Sequence, residues 1–318
     1  MRPCQLSSRS SIRGTAVNRI ASLSATLALL LTAGLLAAHV TAKTITTESS
    51  QKKGKKDRAL NWDPPQVDAP VPSLSATPPC SLPDVLKKSG ERANELADHL
   101  ENFTAHERIR YQQTDRGGEF EMSVTANYDY AVDFGGQSGR LSIHETRQPL
   151  PGNNNDEANA ILDKGLPALA LIFYPAIQSD YEMRCEGFTQ WNDQPAWVVY
   201  FRQIKGKAPR TMTIRSPTKV YPLALKGRAW IGVDSGQVMH LETNLVEGIP
   251  MIDLQVNSVV VDYAPVKFQS QNTEIWLPQF TMAFTDYTKR RMIIEHTFSD
   301  FQLFSVQTEQ NIQKPKER

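Results

Sequence analysis

The chain reads as an α+β protein, with an antiparallel sheet of about ten to eleven strands accompanied by two helices. Three observations predict this. Residues 120–134 are two-periodic: Met122, Val124, Ala126, Tyr128, Tyr130, Val132 and Phe134 alternate with Glu121, Ser123, Thr125, Asn127 and Asp129, the pattern of a strand with one buried and one wet face. In residues 227–245, Ala229, Ile231 and Val233 lead into Asp234-Ser235-Gly236. There Met239, Leu241, Thr243 and Leu245 then alternate with His240, Glu242 and Asn244. Two such runs joined by a short polar turn form a β-hairpin. Between these stretches, residues 158–177 change to helical spacing through Ile161, Leu162, Leu166, Leu169, Ile172 and Phe173.

The N-terminus sets the compartment. Arg2, Arg9, Arg13 and Arg19 precede an apolar run at 20–38, and Val40-Thr41-Ala42 offers the small side chains of a signal-peptidase site. The alternative is an uncleaved anchor; the run is near the minimum spanning length and rich in Ala, Ser and Thr. Cleavage after Ala42 places the protein in the periplasm or outside the cell. Lys43 stands where a lipoprotein would carry its acylated Cys. Removing four Arg leaves 31 basic against 34 acidic residues, a net charge of −3, with no broad basic surface for nucleic acid. Two cysteines remain, Cys80 and Cys185. In an oxidising compartment they pair as one disulfide; the alternative is two reduced, buried thiols.

Residues 43–80 are Lys-, Ser- and Pro-rich and read as a disordered, partly extended tether. Its cluster Lys52, Lys53, Lys55, Lys56 and Arg58 is either a solvated tail or a transient contact with an anionic membrane. The folded domain spans 81–306, and 307–318 is a polar tail. Ser81-Leu82-Pro83-Asp84 opens a helix to 101, carrying Leu86, Ala93, Leu96, Ala97 and Leu100 on one face. Strands follow at 103–113, 120–134 and 139–147, and 149–156 is a loop. The second half of the 158–177 helix, with Pro167 as a break, is apolar nearly all round and is either buried or a lid. Strands resume at 180–190, 196–203, the 227–245 hairpin, 252–263, 265–268, 273–277, 279–287 and 291–306, with Asp300 breaking the last alternation as a bulge would. No repeat of 20–50 residues argues for a propeller or solenoid.

Chemistry is hard to find. His99, His106, His144, His240 and His296 are isolated, without HExxH or CxxC spacing, so no metal or cofactor is expected. His240 and His296 fall at wet-face positions of C-terminal strands and meet only if those strands pair. Gly136-Gln137-Ser138-Gly139 misses the nucleophile elbow by one position and sits in a hairpin turn. Asp129 and Asp133 on one strand face are ordinary solvated carboxylates.

The order of helix, strands, inserted helix and more strands resembles the LolA/LolB-like superfamily of periplasmic lipoprotein carriers. The local likeness lies in 95–111 (a helix running into FTAHERIRY), in AWIGVDSGQVMHLE, and in VDYAPVKF followed by EIWLPQFTMAF. KGRAWI and HTFSDFQLFSV also resemble segments of exported bacterial proteins. The resemblance implies an unclosed, curved half-barrel sheet with helices packed over its concave face, and an apolar cavity between them that takes acyl chains. Two departures matter: the carriers lack the Lys- and Pro-rich tether, and the lipidated Cys of LolB is absent, so a role in lipoprotein transport is not carried over. The expected function is non-enzymatic binding of a lipid, lipidated partner or other hydrophobic ligand. The alternative is a structural or protein-interaction module of the envelope. Candidate cavity residues are Tyr128, Tyr130, Leu166, Leu169, Ile172, Phe173, Trp230 and Phe284, each facing either a cavity or solid packing.

Overall fold

A computed structural model describes residues 62–71, 74–100, 103–135, 142–153, 165–215, 219–269 and 272–303, all within one compact unit. The expected signal segment, the basic cluster and the polar tail lie outside the described residues. Helix α1 (Leu82–Leu100) is followed by β1 (Phe103–Asp115), β2 (Phe120–Gly135) and β3 (Ser142–Pro149). Next come a 3-10 segment (Leu166–Phe173), one turn of α2 (Pro175–Gln178), β4 (Tyr181–Trp191) and β5 (Gln194–Gln203). A small hairpin of β6 (Thr213–Arg215) and β7 (Val220–Pro222) precedes β8 (Leu225–Gly232) and β9 (Val238–Leu245). The chain ends on β10 (Leu254–Phe268), β11 (Thr273–Tyr287) and β12 (Arg290–Leu303).

Ten strands form one open antiparallel sheet in the order β3-β2-β1-β12-β11-β10-β9-β8-β5-β4. The expected architecture, an α+β half-barrel with helices over one face, is therefore the observed one. The step that makes the sheet continuous is β1 on β12, running from Phe103 opposite Leu303 to Asp115 opposite Arg290. Asp300, at φ 52°, lies where that register slips, so the bulge read from the broken alternation is present. Pairs of short predicted strands merge: 252–263 with 265–268 into β10, and 273–277 with 279–287 into β11. Pro265 and Pro278 sit within them, beside the irregularity at Asp262/Tyr263. A bulge there relieves the ladder of the N–H that proline lacks.

The predicted second helix is the main departure. Its first half lies outside the described residues, and its second half is eight residues of 3-10 helix flanked by Gly165 and Tyr174. Pro167 and Pro175 each remove an N–H from a continuous α-ladder. The side chains are apolar on every side, so no amphipathic stripe selects the 3.6-residue period. Leu166, Leu169, Leu171, Ile172 and Phe173 are completely buried. They form a plug against α1, β9, β10 and β11 on the concave side. Helix α1 adds Val85, Ala93, Leu96 and Ala97 to the same core.

The plug begins at a point that touches both ends of the sheet. The Gly165 N–H donates to Glu145 Oε1 on β3 at 3.2 Å. Its Cα faces the carbonyl of Thr211, and Thr211 lies against Tyr181 of β4.

The convex face is covered by residues 62–71 and 74–80, which the composition reads as tether. They form an extended strap instead. Trp62 packs edge-on against Phe284 at 5.8 Å and lies under the Arg291 guanidinium. Asn244 donates to the Pro65 carbonyl at 3.0 Å, Val67 is fully buried, and Asp68 accepts from Tyr200 and Lys226. Ser75 exchanges two backbone hydrogen bonds with Phe188 on β4, and Cys80 is bridged to Cys185 on the same strand. The edge strand β4 is thereby capped, which removes one open template for foreign strands. The anchors Trp62, Val67, Val71 and Leu74 follow no period: Trp62 meets Phe284 on β11, whereas Val71 and Leu74 pack on the cluster of Ala196, Val198, Trp230 and Met239 from β5, β8 and β9.

Gly165 adopts φ +95°, and a Cβ there would collide with the Thr211 carbonyl oxygen. Gly165→Ala is expected to destabilise the fold by about 2–4 kcal/mol, combining left-handed strain with a backbone clash, as read from urea unfolding midpoints. A loss below about 0.5 kcal/mol would show that the plug's start is not held there.

Candidate functional site

Six of the eight candidate residues come together on the concave side. Tyr128 and Tyr130 extend from β2, and Leu166, Leu169, Ile172 and Phe173 form the plug; all six belong to one buried cluster. Trp230 and Phe284 do not join them. On β8, Ala229 and Ile231 face the concave core, so the intervening Trp230 points outward into a second cluster with Ala196, Val198 and Met239. On β11, Ala283 faces inward and Phe284 outward, under Trp62. Both belong to the convex face. Alternation alone does not reveal this, because the strap makes both faces of these strands apolar.

Beneath the plug's first residue lies a buried charged network, of which the candidate cavity residues include Tyr130 alone. Glu107 on β1 is 0% exposed. Arg147 on β3 grips it with Nε and Nη2 at 2.6 and 3.0 Å, and reaches Glu145 Oε2 at 3.3 Å. His296 on β12 places Nδ1 at 2.8 Å from Glu107 Oε1. The Tyr130 hydroxyl donates to Glu145 at 3.1 Å, and the Arg147 guanidinium lies over the Tyr130 ring at 5.0 Å. His296 is therefore a core residue, not a wet-face one. The signal was parity: Glu107 shares a face with Phe103, Ala105, Ile109 and Tyr111, and His296 with Met292, Ile294 and Phe298.

Burial drives the Glu107 carboxyl upward, but the His296 hydrogen bond and the Arg147 charge outweigh it and hold the group below its ordinary 4.5. Burial pulls the Arg147 guanidinium down, yet Glu145 and Glu107 more than compensate and keep it charged.

His240 is also buried, on the convex side. A bulge at Met239 places Met239 and His240 on the same face. The imidazole stacks on Trp191 at 3.9 Å and contacts Trp230 at 4.8 Å. Nδ1 is 2.6 Å from Asp262 and Nε2 is 3.4 Å from Glu242. Burial lowers its pKa, but the two carboxylates outweigh that and keep it above the ordinary 6.5. Strands β9 and β12 are separated by β10 and β11, so His240 and His296 do not meet.

A cleft of about 230 Å³ opens between α1, the plug and the β10–β11 turn. Its lining is mixed: apolar Ala93, Leu96, Ala170 and Ile275 alternate with polar Ser89, Gln237, Thr273 and Glu274, and the Arg92–Glu95 pair stands at its rim. The Tyr263 hydroxyl accepts from the Ala170 N–H at 3.1 Å and pins the plug from below. Among the described residues, no group of three or more His, Cys, Asp or Glu could hold a metal ion. No described helix is long and apolar enough to cross a membrane.

No protein-family model matches the chain, and no curated protein does. Solved structures similar to it include a DUF1329-family protein from Desulfovibrio piger, at 8% identity and TM-score 0.38, covering 70% of this chain and 92% of that one. A LolA-superfamily protein from Nitrosomonas europaea matches at 10% identity and TM-score 0.33, covering 71% and 95%. The Mycobacterium tuberculosis lipoprotein LppX matches at 10% identity and TM-score 0.21, covering 70% and 96%. The likeness to the LolA superfamily is distant; it concerns architecture, and no residue or activity passes from these proteins to this chain.

The two buried networks have opposite pH signatures. Stability tied to Glu107 is full above pH 4.5 and lost as pH falls through its depressed value. Glu107→Gln is expected to flatten the acid limb of urea-unfolding stability, although it lowers stability near neutrality. Stability tied to His240 is full below pH 6.5 and lost as pH rises through its raised value. His240→Gln is expected to abolish a tryptophan-fluorescence change on that alkaline side. Unaltered pH profiles in the two variants would contradict these assignments.

Proposed function

We propose that the chain is an exported, non-catalytic carrier that takes a hydrophobic group of a lipid or lipidated partner on its concave face, in the periplasm or outside the cell. The observation that carries this reading is the plug. Leu166–Phe173 is an apolar segment inside the half-barrel, and its 3-10 ladder is longer than such helices usually run and poorer in geometry than α. Its polar ties to the sheet include the Gly165 N–H to Glu145 and the Ala170 N–H to Tyr263. An acyl chain entering at the 230 Å³ cleft beside Ala170 would exchange one apolar surface for another. The burial lost by the plug, on the order of 25 cal/mol per Å², is then returned by the guest. The bridge between Cys80 and Cys185 fits an oxidising compartment. The basic cluster upstream is proposed to add at most transient contact with an anionic membrane.

A second reading has its own support. The plug residues Leu166, Leu169, Ile172 and Phe173 are all 0% exposed, as in a solid core, which suits an interaction module of the envelope with no small-molecule ligand. In that case deleting residues 43–61 abolishes partner capture and leaves folding intact.

Native mass spectrometry of the protein purified from an exporting host is expected to show a lipid-sized adduct that organic extraction removes. Ile172→Ala, which weakens the plug by about 2–4 kcal/mol, is expected to raise affinity for a fluorescent fatty acid several-fold. A protein without adduct whose Ile172→Ala variant takes up no more probe than wild type would sink the carrier reading.

A further inference from the structure

We propose that His296 and Thr281 form a hydroxyl-recognition site on the concave floor, so that the hydrophobic guests selected are those bearing a hydroxyl group. This rests on the carrier reading and specifies the class of molecule it takes.

One row of inward-facing residues crosses the sheet as Ile109, His296, Thr281, Val261, Leu241 and Ala229, each opposite the next on the neighbouring strand. Four members are aliphatic. The two polar ones are adjacent, 1% and 0% exposed, and His296 Nε2 and Thr281 Oγ1 have no hydrogen-bonding partner among the described residues. Burying two unpartnered polar atoms is costly. Valine at 281 would fill nearly the same volume without that cost. A fold that keeps the polar pair here departs from local packing logic, as functional sites do.

The hydrogen-bonding sense of the pair follows from its neighbours. Glu107 is ionised and accepts from Arg147 at both oxygens, so the His296 nitrogen 2.8 Å away must donate. In the neutral imidazole that leaves Nε2 as an acceptor. The Thr281 hydroxyl is free to donate. One guest hydroxyl satisfies both, donating to Nε2 and accepting from Oγ1. A carbonyl oxygen has no proton for a neutral Nε2, whereas a hydroxyl serves the ring in either state, donating to a neutral Nε2 or accepting from a protonated one. A carboxylate would bring a third negative charge beside Glu107 and Glu145, where Arg147 is the cation already engaged by both. The chemistry therefore favours an alcohol on an apolar skeleton.

The plug governs access. It packs against β9, β10 and β11, and Tyr263, which holds Ala170, lies two residues from Val261 on β10. A guest that displaces the plug reaches the floor at this row.

The test uses the full exported protein and competition by native mass spectrometry. Methyl stearate competes at equal concentration with methyl esters of 2-, 3- and 12-hydroxystearate. At least one hydroxy ester is expected to be preferred roughly tenfold, the effect of one well-made hydrogen bond in a dry site. Thr281→Val is expected to erase that preference while leaving methyl stearate binding and the circular dichroism spectrum unchanged, and Thr281→Ser to keep it. Equal binding of all esters, as when the pair merely holds a water molecule, overturns the site. A preference that survives Thr281→Val also overturns it. If no ester binds at all, the carrier reading falls and the site falls with it.

Discussion

A ten-stranded open sheet that is apolar on both faces has to be covered twice, and the rest of the molecule answers that requirement. A sheet with one wet face needs one layer of helices. Here Ala229, Ile231, Leu241 and Val261 line the concave side while Ala196, Val198, Trp230 and Met239 line the convex side. Helix α1 and the plug cover the first. Among the described residues no helix covers the second; an extended strap does, fixed by Trp62 on Phe284, by buried Val67 and by the Cys80–Cys185 bridge. The bridge joins positions 105 residues apart, and such a closure stabilises chiefly by restricting the unfolded chain.

The concave core contains what an acyl-chain cavity would not need. Removing one partner from a buried ion pair costs about 3–5 kcal/mol, whereas replacing the whole set by apolar residues is often neutral or better. Glu107, Arg147 and His296 are thus poor candidates for devices of stability alone. Their geometry does two other things. It ties β1, β3 and β12 together at the long-range junction on which the continuity of the sheet rests. It also presents the plug's first N–H with a fixed acceptor, since Arg147 and Tyr130 hold Glu145 in place.

Much of the fold is legible in the residues. Met122 to Val132 and the hairpin around Asp234 report strands through parity, and Leu86 to Leu100 report a helix through its amphipathic stripe. What is not legible has a common physical cause: burial on two sides. Where both faces are covered, as at Gly227-Arg228-Ala229-Trp230-Ile231, parity no longer tells inside from outside, and Trp230 and Phe284 are assigned to the wrong one. The plug reads as helical, but being apolar all round it carries no stripe that would tell a 3-10 segment from an α-helix. The strap is hidden differently. Its anchors meet strands distant from one another in sequence, so proline content and missing periodicity read as disorder. The charged network leaves a trace that local reading passes over, a Glu and a His each at a core parity within apolar neighbours.

On the proposed carrier reading, the plug is a piece of the chain in the position of a guest. An ordinary core helix earns its place through a continuous ladder and a stripe matched to its neighbours. Leu166–Phe173 has the tighter and weaker 3-10 ladder and enters at a left-handed glycine. It exits at Tyr174, whose N–H bonds back to Leu171 before a proline. Its hold is therefore mostly hydrophobic burial, which is non-directional and proportional to area. Such a hold is the kind that another apolar molecule can replace without new geometry. The directional interactions nearby belong to the sheet and stay with it, at Glu145, Arg147, Glu107 and His296. That division, replaceable contacts on the plug and fixed polar groups on the floor, would let a half-barrel of the proposed kind exchange its contents without unfolding.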